Sequence, residues 1–123
     1  MTKILLVEDN PMNRDMLNRR LIRRGYEVHC VEDGESVMSM VEEFQPDVVL
    51  MDISLPGIDG LEATRRLRQV EKYKTLPVIA LTAHAFHSDE VEAKAAGCNE
   101  FETKPIELDR LLSKIEALKA TTT

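Results

Sequence analysis

The sequence predicts an α/β protein with a right-handed, doubly wound parallel sheet. Short apolar runs without polar alternation recur along the chain, which is typical of parallel strands buried on both faces. Residues that start and stop helices lie between successive runs. Together these features predict five strand–helix pairs in succession.

Three of the predicted strands are continuous apolar runs of four or five residues. They are Ile4–Val7, Val48–Met51 and Pro77–Leu81, and a polar residue follows each of them. Two weaker candidates complete the sheet, Tyr26–Val31 and Asn99–Thr103. None of these runs approaches the roughly 20 apolar residues that a membrane-spanning helix requires.

Helix signals predict five helices. In the first, Asn10 is the cap, Pro11 takes the first position and Gly25 ends the helix. The second helix is Glu35–Phe44, after the turn at Asp33-Gly34, and the third is Leu61–Val70. The fourth is Asp89–Ala96, with Ser88 as its cap and Gly97 as its end. The last helix follows Pro105 and carries Ile106, Leu108, Leu111, Leu112, Ile115 and Leu118.

Composition and charge exclude several classes of protein. The 123 residues are 43% hydrophobic and 31% charged, which is typical of one globular domain. A net charge of −6 argues against general binding to nucleic acid or anionic membranes. Cys30 and Cys98 are too few and too distant for a disulfide framework, and His29, His84 and His87 lack metal-ligand spacing. We expect a single domain over residues 1–123 with reduced thiols and a cytoplasmic location.

Polar residues gather where the predicted strands end. The first strand leads to Glu8 and Asp9, the third to Asp52, the fourth to Thr82 and the fifth to Lys104. Open parallel sheets bind ligands beyond the carboxyl ends of their strands. We therefore expect these side chains to share one site.

The chemistry of this set favours magnesium and phosphoryl transfer. Three clustered carboxylates repel one another unless a cation joins them, and an open, oxygen-rich site suits Mg²⁺. The total formal charge is −3 + 1 = −2 for Glu8, Asp9, Asp52 and Lys104, and one divalent ion neutralises it. One carboxylate then attacks phosphorus while the cations stabilise the phosphoryl oxygens. Asp52, at the end of the central strand, is the best candidate nucleophile, and Thr82 is a candidate hydrogen-bond donor.

Five separated motifs resemble the receiver domain of two-component response regulators. They are Glu8-Asp9-Asn10, Asp52 after Val-Val-Leu-Met, Leu55-Pro56-Gly57-x-Asp59-Gly60, Thr82-Ala83 and Lys104-Pro105. The resemblance extends from Lys3 to about Leu118 and implies a flavodoxin-like (βα)5 fold with strand order 2-1-3-4-5. It also implies a signalling switch that takes a phosphoryl group from a phosphohistidine of a sensor histidine kinase or histidine phosphotransfer protein. Such a switch then contacts a downstream effector, without direct nucleic-acid binding or membrane insertion.

The resemblance assigns the chemistry of the site residue by residue. Asp52 is the phosphoacceptor. Asp9, Asp52 and the backbone carbonyl of Ser54 hold Mg²⁺, and Glu8 acts through metal-bound water. Lys104 pairs with the phosphoryl oxygens, and its bond to Pro105 is expected to be cis.

The resemblance also assigns the conformational switch and the lifetime of the aspartyl phosphate. Thr82 moves toward the phosphoryl group and draws an aromatic residue inward, which here is Phe101 in place of the common tyrosine. Ser54 and His84 each lie two residues beyond a key residue, where receivers tune the lifetime. A small Ser54 leaves water access open, whereas His84 is placed to screen or orient water.

The first helix is locally basic. Pro11–Arg24 contains five arginines and one aspartate, a charge of +4. Met12, Met16, Arg19 and Arg23 fall on one face at helical spacing. One interpretation is a solvated face whose methionines fill the contact with the sheet. The other is a docking stripe for the kinase or phosphotransfer helix, which in this family binds near this helix.

Other functions stay open at this point. An aspartyl phosphohydrolase that uses Mg²⁺ would have Asp-x-Asp at its nucleophile, but Ser54 and Pro11 stand where the second aspartate would be. A flavodoxin-like cofactor binder would need a phosphate loop after the first strand. A pseudo-receiver would lack site residues that are present here. We expect a signalling domain that catalyses only its own phosphotransfer and autodephosphorylation.

The extent of the natural protein is also open. A receiver excised from a longer hybrid kinase or regulator is an alternative to a stand-alone receiver. The Glu-Asp-Asn-Pro opening resembles receivers of hybrid kinases and stand-alone cell-cycle receivers more than those of DNA-binding regulators. Met1 and the polar tail at Thr123 favour a complete short protein.

Overall fold

Five parallel strands form the centre of the protein, whose computed structural model describes residues 1–83 and 87–121. The strands are β1 (Lys3–Val7), β2 (Glu27–Val31), β3 (Val48–Asp52), β4 (Val78–Thr82) and β5 (Glu100–Thr103). They pair in the order β2-β1-β3-β4-β5, and every pair is parallel. The predicted α/β fold and strand order are therefore confirmed.

In the described residues, five α-helices and one short 3₁₀ helix accompany the strands. The α-helices are α1 (Pro11–Arg23), α2 (Val37–Phe44), α3 (Gly60–Arg68), α4 (His87–Ala96) and α5 (Leu108–Thr121). The 3₁₀ helix, Glu71–Tyr73, was not predicted. Among the helices of the described residues, none has the length and apolar character needed to cross a membrane.

The core has two layers, one on each face of the sheet. Successive side chains of a strand point to opposite faces, so each strand contributes to both layers. On one face, Leu21 of α1 and Leu111 and Ile115 of α5 pack on strand residues such as Leu50. On the other face, α2, α3 and α4 cover the alternate residues, such as Met51. All four of these named leucine and isoleucine side chains, and Met51, are buried completely.

The first helix begins as predicted, and its face of methionines and arginines is exposed, but the predicted contact of the methionines with the sheet is wrong. The side-chain oxygen of Asn10 accepts from the backbone N–H of Met12 at 3.0 Å and of Asn13 at 3.1 Å. Gly25, with φ +91°, follows the helix end. Met12 is 78% exposed and Met16 49% exposed, because Leu17 and Leu21 occupy the face that packs on the sheet. The methionines therefore do not fill that contact.

Two predicted helix starts are wrong, and in both the carboxylate of a glutamate before the helix accepts a hydrogen bond from a backbone N–H. The α2 helix begins at Val37 rather than Glu35, whose carboxylate accepts from the backbone N–H of Ile58 at 3.1 Å. The α5 helix begins at Leu108, so Ile106 precedes it, and the Glu107 carboxylate accepts from the N–H of Asp109 at 3.2 Å.

The predicted bounds of the other two helices also shift. The α3 helix begins one residue early, at Gly60, where the Asp59 carboxylate accepts from the N–H of Glu62 at 2.9 Å. It ends at Arg68 instead of Val70. The α4 helix begins at His87, so Ser88 lies inside its first turn and is not its cap.

A buried carboxylate fastens α5 to the edge strand β5. The Glu102 side chain is 2% exposed and accepts from Nε of Arg110 at 2.7 and 3.0 Å. Nζ of Lys114 lies 3.1 Å from the same carboxylate and also donates to the carbonyl oxygen of Phe101 at 2.8 Å. Burial alone would raise the pKa of Glu102, but the hydrogen bonds from Arg110 and Lys114 outweigh it and lower the pKa.

We expect Glu102→Gln to lower the free energy of unfolding by about 2 kcal/mol at neutral pH, since hydrogen bonds to a buried charge are lost. A carboxylate with a depressed pKa stabilises the fold above its unfolded pKa, about 4.3, and loses that contribution as the pH falls through its folded pKa. The difference between variant and parent should therefore narrow below about pH 4.3. Urea unfolding followed by circular dichroism at several pH values measures it.

The matched control is Glu100→Gln, on the same strand. Glu100 lies 3.7 Å from Lys114 and its side chain is 38% exposed, so we expect a loss of at most about 0.5 kcal/mol. Equal losses in the two variants, or a difference that does not change with pH, would contradict the prediction.

Candidate functional site

Three carboxylates meet at the carboxyl ends of β1 and β3. Asp52 is the last residue of the central strand β3 and is 1% exposed. Glu8 follows β1 and is 4% exposed, whereas Asp9 is exposed. Oxygens of the three carboxylates lie within 4.8 Å of one another. The structure therefore brings together the acidic residues that the strand ends predicted.

Lys104 supplies positive charge to this cluster from the end of β5. Its Nζ lies 2.7 Å from Oε1 of Glu8 and 3.2 Å from Oδ2 of Asp52. Its backbone N–H donates to the carbonyl oxygen of Thr82 at 2.7 Å, which ties the ends of β4 and β5 together. The bond between Lys104 and Pro105 is cis, as expected.

Ser54 holds the other oxygen of Asp52. Both the backbone N–H and the hydroxyl of Ser54 donate to Oδ1, at 2.9 and 2.8 Å. Oδ1 of Asp52 is thus occupied by the loop after β3, while Oδ2 faces Lys104. The hydroxyl bond was not predicted, although a serine two residues after an aspartate is a common local hydrogen-bonding pattern.

The pKa values of the two buried carboxyl groups, Glu8 and Asp52, are shifted in opposite directions. Burial, together with the neighbouring Asp52 carboxyl group, raises the pKa of Glu8. Burial would also raise the pKa of Asp52, but its coupling to the Glu8 carboxyl group, the hydrogen bonds from Ser54 and the charge of Lys104 outweigh burial and lower the pKa. Burial would lower the pKa of Lys104, and its hydrogen bond to Glu8 and the charge of Asp52 raise it instead. Asp52 is therefore kept ionised beside a charged ammonium group.

The donor set fits a divalent cation. Three carboxylates against one ammonium leave a charge of −3 + 1 = −2. Carboxylate oxygens are the ligands that Mg²⁺ takes in proteins, and Mg²⁺ keeps several of its waters. The exposed Asp9 forms the open side of the cluster, where those waters have room. Glu8, Asp9 and Asp52 are thus suited to hold Mg²⁺.

The two predicted switch residues, Thr82 and Phe101, lie in the neighbouring strands β4 and β5. Thr82 ends β4 and is 2% exposed, and in the sheet it pairs with Thr103. Phe101 is partly buried on β5 and packs against the core layer that α4 covers. His84 lies outside the described residues, so its part in the lifetime stays a prediction.

Gly60 allows α3 to start directly against the end of β3. A Cβ atom at Gly60 would lie 2.8 Å from Cα of Ile53 and closer still to the carbonyl oxygen of Asp52. Both neighbours are backbone, so neither can turn aside. The absence of a side chain at Gly60 therefore helps to set the position of Asp52.

We expect Gly60→Ala to lower the free energy of unfolding by about 3 kcal/mol, the upper part of the range for overpacking, because the backbone must move. Gly25→Ala is the matched control. Gly25 has φ +91° but nothing within 4 Å of a Cβ atom, so its loss should be about 1 kcal/mol from backbone strain alone. Urea unfolding of both variants measures the two losses. A larger loss at Gly25 than at Gly60 would contradict the role given to the contact with β3.

Comparisons with known proteins agree with this geometry. The sequence model of the response regulator receiver domain matches residues 4–116. Polar-differentiation response regulator DivK of Brucella ovis is 36% identical over 118 residues, which are 95% of this chain and 96% of that protein. A putative response regulator from Chloroflexus aurantiacus superposes with a TM-score of 0.92 at 34% identity, over 97% of this chain and 98% of the other.

One solved neighbour contains a metal ion. The receiver domain of a sensor histidine kinase from Pseudomonas aeruginosa superposes with a TM-score of 0.89 at 37% identity, over 97% of this chain and 98% of the other. Its structure has a magnesium ion coordinated in the active-site cleft. Sequence, strand order and the set of residues at the sheet edge lead to one conclusion. The chain belongs to the response regulator receiver domain family of two-component systems.

Proposed function

We propose that the protein is a phosphorylation-dependent signalling switch. It accepts a phosphoryl group from a phosphohistidine of a sensor histidine kinase or histidine phosphotransfer protein onto Asp52, in a reaction that requires Mg²⁺, and then contacts a downstream effector. The observation that carries this proposal is a buried, ionised Asp52 within 4.8 Å of two further carboxylates and beside Lys104. We further propose that residues 1–123 form a single domain that acts in the cytoplasm.

The chain's own residues supply the nucleophile and part of the charge stabilisation. A carboxylate oxygen of Asp52 attacks phosphorus, the P–N bond of the phosphohistidine breaks, and the departing imidazole keeps the electron pair. Lys104 stabilises the negative phosphoryl oxygens, and the hydroxyl of Thr82 donates a hydrogen bond to one of them. Mg²⁺ bound by Asp9, Asp52 and the carbonyl of Ser54, with Glu8 acting through water, would supply further positive charge to those oxygens.

The same residues control the response of the protein to phosphorylation. Before phosphorylation, the Ser54 hydroxyl donates to Oδ1 of Asp52 at 2.8 Å. Thr82 moves toward the phosphoryl group, and Phe101 turns inward. Ser54 and His84 set how readily water reaches the aspartyl phosphate during autodephosphorylation.

The test is the mass of the intact protein after incubation with Mg²⁺ and acetyl phosphate. We expect a labile adduct of about 80 Da, one phosphoryl group, that does not form when EDTA removes the metal. Absence of the adduct under both conditions would favour a pseudo-receiver or a cofactor binder. Rapid phosphate release from many unrelated esters would favour a phosphohydrolase.

The exposed face of α1 is the proposed docking surface for the phosphodonor. Met12, Met16, Arg19 and Arg23 are all exposed on this helix. Of these four residues, Met16 lines a cleft of about 620 Å³, whose lining also includes Glu8 and Lys104 of the phosphorylation site. Apolar, adaptable methionines flanked by arginines suit an amphipathic helix with acidic residues.

We expect Arg19→Glu together with Arg23→Glu to slow phosphorylation by a cognate phosphotransfer protein at least about tenfold, because both charges oppose an acidic partner. Phosphorylation by acetyl phosphate should be unchanged, and the effect should shrink as salt is raised. Arg66→Glu is the matched control. Arg66 pairs with Glu62 four residues away, as Arg19 pairs with Asp15, but it lies on α3. Equal slowing with both donors would exclude a docking role.

A further inference from the structure

Arg14 of α1 contacts the backbone of the loop that carries two of the three site carboxylates. Its Nη1 donates to the carbonyl oxygen of Glu8 at 3.1 Å and, more weakly, to that of Asp9 at 3.5 Å. Its Nη2 lies 3.2 Å from the carboxylate of Glu32, which directly follows β2. The Arg14 side chain is 19% exposed, although it lies on a helix whose other arginines face solvent.

These contacts hold the backbone from which the Glu8 and Asp9 side chains extend. A peptide unit is planar, so a hydrogen bond to its carbonyl oxygen orients the Cα atoms on both sides. The peptide units after Glu8 and after Asp9 span three successive Cα atoms, those of residues 8, 9 and 10. On the other side, the N–H of Glu8 donates to the carbonyl oxygen of Val31 at 3.1 Å. The loop is thus held between the end of β2 and the guanidinium group.

We propose that Arg14 is a positioning residue for the metal site, which sets the spacing of the Glu8 and Asp9 carboxylates by fixing their backbone. The inference rests on the proposed function, because it concerns the Mg²⁺ that those carboxylates hold. A guanidinium group has no acceptor atom, so Arg14 is not itself a metal ligand. It acts through the peptide units that follow Glu8 and Asp9.

A salt bridge alone does not explain this arrangement. Glu32 is 69% exposed, and an exposed ion pair contributes at most about 1 kcal/mol. Arg14 is instead drawn inward, where two carbonyl oxygens and one carboxylate need donors in different directions. A guanidinium group is a rigid plane with five N–H donors and meets all three at once, whereas an ammonium group is a point charge on a flexible stem. Glu32 then orients the guanidinium plane.

The experiment measures metal binding without any phosphodonor. Mn²⁺ is titrated into the full chain and the free ion is followed by electron paramagnetic resonance, with Mg²⁺ added as a competitor. We expect Arg14→Met to weaken binding of both ions about tenfold, as loss of a residue that orients metal ligands does. Arg14→Lys should restore part of the affinity, and Glu32→Gln should weaken binding less than Arg14→Met.

Arg24→Met is the matched control, since Arg24 caps the end of the same helix, pairs with Asp109 and is 49% exposed. It should bind both ions as the parent does. The melting temperature without metal is recorded for each variant, so that loss of stability is measured separately from loss of metal affinity. Parent-like affinity in Arg14→Met, with or without a lower melting temperature, would overturn the inference. A parent that binds neither ion would overturn the proposed metal site and this inference with it.

Discussion

Asp52→Asn is expected to abolish the labile adduct of about 80 Da that the parent forms with acetyl phosphate and Mg²⁺. The amide keeps the shape of the side chain and an oxygen that can accept from Ser54, but it is no longer an anionic nucleophile. The variant should remain folded, with stability within about 1 kcal/mol of the parent. It loses the contact with Lys104 but also the repulsion with Glu8.

The measurement is intact mass, supported by borohydride reduction, which converts an acyl phosphate to an alcohol at the residue that carried it. Asp47→Asn is the matched control because Asp47 immediately precedes the same strand, at its opposite end, and is exposed. Asp47→Asn should form the adduct as the parent does. An adduct that persists in Asp52→Asn would place the nucleophile elsewhere and contradict the proposed function.

Lys104→Met should have the second largest effect, and it should change two quantities in opposite directions. Formation of the adduct at saturating Mg²⁺ should slow by a factor of about 10²–10³, which is the usual effect of removing one group that stabilises developing negative charge. Affinity for Mg²⁺ should rise, because the Lys104 ammonium lies 2.7 and 3.2 Å from two of the carboxylates that would hold the metal. Removing it removes a competing positive charge.

Both quantities can be measured on one preparation, the rate by time-resolved intact mass and the affinity by Mn²⁺ titration with Mg²⁺ competition. Lys94→Met is the matched control, since Lys94 is half exposed on α4 and lies 4.0 Å from Glu90. It should change neither quantity. Slower phosphorylation with weaker Mg²⁺ binding in Lys104→Met would indicate that the site had lost its structure.

The strands and the residues at their ends were predictable because both signals are local. A run such as Val48–Met51, apolar at every position, is buried on both faces of a sheet, and the polar residue after it must lie at the edge. Parallel topology then brings Asp52 and Lys104 together, although 52 residues separate them. The resemblance to receivers added the strand order and the cis bond at Pro105, and the structure has both.

The helix starts were harder to predict because a loop residue is free to bond in several directions. Glu35 fits the first turn of a helix by its sequence, yet its carboxylate is used by the backbone of Ile58 in another loop. Ser88 is a good cap by type, but the helix begins before it. Local preference is worth about 1 kcal/mol at such positions, so a single contact from elsewhere in the chain decides them.

By itself, the sequence determined the fold class, the order of strands and helices along the chain and the acidic site at the sheet edge. Each follows from hydrophobic periodicity or from the residue type at a strand end. The tertiary structure decided which way the polar side chains turn. It buried Glu102 between Arg110 and Lys114, turned Met12 and Met16 toward solvent and placed Arg14 against the backbone of Glu8. These outcomes depend on partners distant in sequence or on which face of a helix packs on the sheet, and local periodicity does not specify either.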